Sequence, residues 1–247
     1  MRYFLEVSYK GTNYSGFQSQ KNANTIQDEI EKAFLILLKQ QVQLTGSSRT
    51  DAGVHALQNY FHFDTKSKLT TELLYNLNAI LPNDIVSKNI ILVKDDSHCR
   101  FDAISREYRY YIYQQKNPFL KETGYYFPYS IDFEEIKKAA LLIKEYSDFK
   151  SFSKRNTQVK TFECSIFESD WHLENGCLIY HVKANRFLRG MIRALTATML
   201  KIGRGKLSLN DFKSIIDSKD CTKASFAVPA HGLHLINVQF PIEYFSD

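Results

Sequence analysis

Twice along its length this chain runs through one order of hydrophobic periods, and that order limits its fold more than any other feature. Arg2–Tyr9 alternates Tyr3, Leu5, Val7 and Tyr9 against Phe4, Glu6 and Ser8, the two-residue period of a strand with one face better covered. From Asn24 the period lengthens. Ile26, Ile30, Ala33, Phe34, Leu37 and Leu38 share one helical face, with Asn24 or Thr25 as cap and Gln27 or Asp28 three residues on. Strand-like pieces at 42–44 and 59–63 flank the polar stretch 45–54. A helix over Glu72–Ile80 stops before Pro82, and a strand over Ile85–Val93 completes the half.

The second half repeats the order with different residues. Residues 107–113 are aromatic and β-prone. Asp132 caps a helix whose face is Ile136, Ala139, Ala140 and Ile143, with Glu135 at the capping-box position. Asn175-Gly176 is the strongest short hairpin signal in the chain. A long helix over 187–202 is expected to end at Gly203, a shorter one to start at Ser208 with Asp211 three residues on, and residues 233–240 to form the closing strand. Strand-helix-strand-strand-helix-strand, read twice, is the split βαβ order. The expected architecture is therefore α+β: two ferredoxin-like halves, residues 1–105 and 106–247, mostly antiparallel, with helices on one face. A cleft between the halves is the natural place for a site.

The totals exclude more than they assert. With 247 residues and 44% hydrophobic content, the chain can bury a core without disulfides or metals. Cys99, Cys164, Cys177 and Cys221 are scattered, with no Cys-x-x-Cys pair, and His231-x-x-His234 has no third ligand nearby. Glu6 interrupts the N-terminal apolar residues too early for a signal peptide, and the longest apolar run, residues 33–38, cannot span a bilayer. A cytoplasmic location is expected. The net charge of +5 suits an anionic partner without demanding one.

The stretch Ser47-Ser48-Arg49-Thr50-Asp51-Ala52-Gly53-Val54-His55 puts an Arg, a Thr, an Asp and a His between two strands, with small residues directly after the Asp. Ala52 and Gly53 let a backbone or a flat ring come close, and Gly53 can take a positive φ. A carboxylate presented this way serves as nucleophile or base where a nearby cation keeps it ionised. Local composition fits a polar turn equally well, with Asp51 on local amides and Arg49 in solvent. Further on, Arg186, Arg189 and Arg193 fall at i, i+3 and i+7, which aligns them as a basic stripe along one helical face.

Residues 49–55 resemble the catalytic signature of the tRNA pseudouridine synthase A family, and further blocks follow in the family's order. They are Tyr9-Lys10-Gly11-Thr12, Gly16-Phe17-Gln18, Thr25-Ile26-Gln27, Asn78 with Leu81-Pro82-Asn83-Asp84-Ile85, and His98-Cys99-Arg100-Phe101-Asp102-Ala103. Arg106-Glu107-Tyr108-Arg109-Tyr110, Asp148-Phe149, Phe187-Leu188-Arg189-Gly190-Met191-Ile192-Arg193 and Gly232-Leu233-His234-Leu235 complete the series. Some positions depart from the pattern. Lys10 stands where Asp is common, Phe17 where Trp is, Ser48 where Gly precedes the Arg, Gln58-Asn59 where Gly-Gln follows, and Cys99 where Ala is usual.

The resemblance implies that Asp51 is the catalytic aspartate, that Tyr108 stacks near the target uracil, and that Arg193 pairs with the aspartate. Arg49, Arg186 and Arg189 become candidate RNA contacts. It implies a homodimer acting on the anticodon stem-loop of tRNA. The reaction is an isomerisation, which requires neither redox cofactor nor metal. Two rivals remain on the residues alone: an N-glycosidase, for which Asp102 is the only second carboxylate in view, and an RNA-binding module without catalysis.

Overall fold

The computed structural model describes residues 1–155 and 159–244. In chain order the described elements are β1 (Arg2–Tyr9), α1 (Ile26–Leu38), β2 (Thr45–Gly46), β3 (His55–Asp64), α2 (Glu72–Ile80), β4 (Ile85–Val93), β5 (Ser105–Tyr113), β6 (Tyr125–Tyr126), α3 (Phe133–Leu142), β7 (Ile166–Glu174), β8 (Cys177–Ala184), α4 (Met191–Gly203), α5 (Leu209–Asp217) and β9 (Leu233–Gln239). The fold class is mixed α+β, and most of the described strand pairs are antiparallel. Residues cluster into two compact units: Met1–Ile104 joined by the C-terminal segment from His234, and Ser105–Leu233. The closing strand, expected with residues 106–247, thus falls in the first unit, where it runs parallel to β3 with His55 opposite His234.

In the first unit β1 lies between β3 and β4, with Leu5 opposite Phe61 on one side and Ile90 on the other. Its residues Phe4, Leu5 and Val7 are fully buried. α1 buries Ile26, Ile30, Ala33 and Phe34, and the Phe34 ring packs 4.9 Å from that of Phe63 on β3. Thr25 caps α1 by accepting the Asp28 N–H at 3.2 Å, as the sequence predicts. The extended Leu81 before Pro82 ends α2. Asn78 on α2 explains its place in the second block: its amide donates to the Ser87 carbonyl and accepts the Ser87 N–H, each at 2.8 Å, fixing the helix to β4.

One expectation fails here. The strand predicted at 42–44 is absent; Val42 and Leu44 are buried anchors in irregular backbone, and the pairing segment is the two-residue β2, opposite Phe61 and His62. Gly46 explains the shift. A Cβ there would sit 2.2 Å from Cε1 of Phe17, so the backbone hugs that ring, and the Ser47 N–H still donates to the Tyr60 carbonyl of β3 at 2.8 Å.

In the second unit β8 lies between β5 and β7, and β6 runs parallel to β5. Asn175 and Gly176 both take positive φ, 50° and 77°, in the expected tight turn joining β7 to β8. α3 and α5 carry the predicted caps: Asp132 accepts the Glu135 N–H, and Ser208 and Asp211 form a reciprocal box. α4 is buried on all sides except at Arg193 and Lys201, as befits a central helix. Trp171 on β7 reaches it, donating its indole N–H to the Met199 sulfur at 3.4 Å.

Candidate active site

Asp51 lies in irregular backbone between β2 and β3, half-buried, and its carbonyl accepts the Val54 N–H at 3.2 Å to close a turn. Gly53 occupies that turn at φ +78°, the left-handed conformation expected of it. The residue before Asp51 is held at two atoms. The Thr50 carbonyl accepts the Phe17 N–H at 3.1 Å, and the Thr50 and Tyr9 hydroxyls share a 2.8 Å hydrogen bond.

Two residues further back, the wholly buried Asn59 of β3 grips Ser48. Its Oδ1 accepts the Ser48 N–H at 3.3 Å, and its Nδ2 donates to the Ser48 carbonyl at 2.8 Å. On the other flank, His55 Nδ1 accepts the Gly11 N–H at 3.1 Å, so this nitrogen carries no proton. The His55 ring lies 4.6 Å from that of His234.

Glycines make the close approaches possible. A Cβ on Gly11 would stand 2.1 Å from the Val54 carbonyl oxygen, and one on Gly16, already at φ +117°, would stand 3.2 Å from that of Thr50. Phe17, stacked on Phe61 at 4.3 Å, fills the space beneath. The N-terminal blocks read from the sequence are thus the walls of the Asp51 loop. Tyr9 and Asn59 were not singled out as site residues, although both lie in quoted segments: what marks them is a polar atom on an otherwise buried strand. The buried hydroxyls of Ser47 and Ser48 have no hydrogen-bond partner among the described residues, and nothing in the structure explains the serine at position 48.

The other expected residues lie in the second unit. Tyr108 on β5 is 9% exposed, opposite Val182 of β8, and meets the ring of Phe187 edge-on at 5.3 Å. Arg106, two residues earlier, is equally buried and donates to the Asn185 carbonyl at 2.9 Å. Arg193 stands in the first turn of α4. Its Nε and Nη2 both donate to the Val228 carbonyl, at 3.0 and 2.7 Å, which fixes the plane of the guanidinium.

The basic stripe is not helical. α4 begins at Met191, because Gly190 sits at φ +76° in the left-handed region and terminates any helix running through it. Arg186 and Arg189 therefore precede the helix in irregular backbone, and only Arg193 projects from a helical face. Arg189 is exposed, and its carbonyl accepts the Lys154 N–H at 2.9 Å. Arg49 is exposed beside Asp51. Among the described residues no group of three or more His, Cys, Asp or Glu side chains is arranged to hold a metal ion. The buried thiols of Cys164 and Cys177 are pushed up by burial, Cys164 to about 11, away from nucleophilic use.

A family model described as tRNA pseudouridine synthase matches residues 6–102 and 146–241. A protein of Parabacteroides distasonis named tRNA pseudouridine synthase A is 42% identical over 99% of this chain and 98% of its own. One of the same name from Azobacteroides pseudotrichonymphae is 44% identical over 100% and 99%. A third, from Staphylococcus aureus, is 35% identical over 95% and 90%.

Proposed function

Because the chain belongs to the tRNA pseudouridine synthase family, we propose that it works on the anticodon stem-loop of tRNA with Asp51 as its nucleophile. It is an isomerase that converts uridine to pseudouridine in tRNA. The N1–C1′ bond breaks, the uracil turns, and C5 bonds to C1′; the C5 proton leaves and N1 gains one, so the formula is unchanged. The target uridine has to leave its stack, at a cost of a few kcal/mol that phosphate and sugar contacts offset.

Within this reading Asp51 carries the covalent work, in the first half of the chain. Tyr108 and Arg193, in the second, bind the substrate: the ring holds the loosened base in register, and the guanidinium presents a fixed positive charge to it. Arg49, Arg186 and Arg189 contact tRNA phosphates. Their placement in exposed or half-buried irregular backbone suits that use, since phosphate contacts need reach more than rigidity. We read each half as ferredoxin-like. For the first half, the support is the order β1-α1-β2-β3-α2-β4 with strands laid out as β4-β1-β3-β2. A cytoplasmic homodimer, with one tRNA touching both subunits, completes the proposal.

The observation that carries it is the Asp51 loop itself. Family blocks distant in sequence close around that one loop, down to glycines whose Cβ would strike its backbone. Incubation with unmodified tRNA, followed by nucleoside analysis, tests it. Pseudouridine within the anticodon stem-loop and no free uracil is expected. Free uracil would instead mark an N-glycosidase, and tRNA bound without either product would mark a non-catalytic binder.

A further inference from the structure

Backbone buried outside a helix or sheet has to find partners for its N–H and C=O groups one at a time. Ahead of Asp51 the side chain of Asn59 takes both backbone groups of Ser48, and the Tyr9 hydroxyl holds the side chain of Thr50. Asn59 uses all of its hydrogen-bonding capacity. Its oxygen accepts from Ser48 N–H at 3.3 Å and Tyr60 N–H at 2.9 Å, and its nitrogen donates to the Ser48 carbonyl at 2.8 Å and the Tyr9 hydroxyl at 3.2 Å. The Tyr9 hydroxyl passes the connection to Thr50 at 2.8 Å, and Thr50 is the residue bonded to Asp51. Asn59, Tyr9 and Thr50 are all at least nine-tenths buried, so water does not compete for these bonds.

We propose that Asn59, Tyr9 and Thr50 are positioning residues for the reaction, a buried relay that holds the backbone entering Asp51 in its reactive placement. The inference rests on the reading of Asp51 as the reacting group. The geometry separates this role from a general structural one. The Tyr9 ring packs 5.7 Å from that of Phe17 whether or not it bears a hydroxyl, and two further ties of the loop, Phe17 N–H to the Thr50 carbonyl and Val54 N–H to the Asp51 carbonyl, use no side chain of the relay. Removing the hydroxyl therefore loosens the approach to Asp51 while leaving the apolar core intact.

The test compares Tyr9→Phe, Thr50→Val, Thr50→Ser and the double variant Tyr9→Phe/Thr50→Val in the full chain. Enzyme is held in excess over unmodified tRNA, and tRNA affinity and melting temperature are measured alongside. Displacement of a reacting group by an ångström costs on the order of a hundredfold, so partial loosening is expected to slow the single-turnover rate by about tenfold or more in Tyr9→Phe and in Thr50→Val. Affinity should stay within about threefold, because phosphate contacts dominate it. Thr50→Ser, which keeps the hydroxyl, should recover most of the rate. Because the Tyr9–Thr50 bond is lost in both single variants, and Tyr9→Phe also strips the Asn59 amide of its acceptor, the double variant should be no slower than Tyr9→Phe by more than about threefold.

A wild-type rate in Tyr9→Phe, losses that multiply in the double variant, or a slower rate explained by weaker tRNA binding would each overturn the proposal. Should Thr50→Val fail to fold, Tyr9→Phe decides alone, since it removes one hydroxyl from the same bond. Asp51→Asn is run in parallel. If it is inactive while Tyr9→Phe is wild type, only the relay is overturned; if it is active, the catalytic reading and the relay fall together.

Discussion

Asp51 and Arg193 are held in opposite ways. Asp51 sits in irregular backbone whose partners come from Tyr9, Gly11, Phe17 and Asn59, residues spread over fifty positions of the chain. Arg193 sits in the first turn of a regular helix, and its guanidinium is anchored on the Val228 carbonyl. The buried polar groups around the two follow suit. Near Asp51 they join distant segments, whereas Thr196 and Thr198 on α4 donate to carbonyls of Ile192 and Ala194 one turn back, with Thr198 also accepting the Ser225 N–H at 3.1 Å. A loop built this way is a long-range property of the fold, and a helix is largely a local one. Perturbations of the walls of the Asp51 loop should therefore reach further than perturbations of comparable size in the second unit.

The largest effect should come from Gly11→Ala. The new Cβ would stand 2.1 Å from the Val54 carbonyl oxygen, a backbone atom that cannot swing aside. A loss of about 3 kcal/mol or more is expected, in the range of severe overpacking. Gly176→Ala, in the β7–β8 turn, has nothing within 4 Å and meets only the strain of φ +77°. It should cost about 1 kcal/mol. Urea denaturation of both checks the contrast, and equal losses would remove the close approach as a constraint on the loop.

Next in size is Arg193→Met. Two charge-assisted hydrogen bonds to one carbonyl are lost, for about 2 kcal/mol of stability. The chemical step should slow markedly in single turnover, with tRNA affinity changed little. Weaker binding that fully accounts for the loss would move Arg193 from the reaction to docking.

Smaller still is an acid sensitivity in which His62 of the first unit takes the leading part, although burial also lowers His231 of the second. His62 on β3 is pushed down to about 4, first by burial and then by the neighbouring charges of His98 and Arg2. In the unfolded chain it titrates near 6.5. Above that pH both states are neutral and the group is without effect. As pH falls from about 6.5 to about 4 only the unfolded chain takes up the proton, so stability declines across that window and this contribution levels off below it. His98, lowered in the same direction chiefly by burial, adds to the decline. Denaturation midpoints between pH 7 and 4 should fall for the wild type and fall less for His62→Gln. Equal slopes would show that the first unit's buried polar groups are not what responds to acid.

The same contrast explains what could be read in advance. Arg2–Tyr9, Glu72–Ile80 and Ile85–Val93 match their predicted bounds, as do the caps at Thr25, Asp132 and Ser208 and the turn at Asn175-Gly176, because each is encoded within a few residues. The start of α4 was misplaced by following apolar spacing through Gly190, whose left-handed φ is invisible to a periodicity argument. β2 was misplaced because Val42 and Leu44 are apolar for anchoring rather than pairing. Asp51 itself stood out only through the family signature; local composition left it equally well explained as a turn. The relay that supports it was not legible, since a buried tyrosine and asparagine on two strands reveal their partnership only once the strands are paired.

The central claim is that the carboxylate of Asp51 performs the chemistry and the rest of the loop exists to place it. Single-turnover conversion of unmodified tRNA by Asp51→Asn tests this most directly, because the side chain keeps its size and loses only its charge and nucleophilicity. The account predicts no pseudouridine above the uncatalysed level, tRNA affinity within a few-fold of wild type, and an unchanged melting temperature. Pseudouridine formed by Asp51→Asn at near the wild-type rate would contradict it.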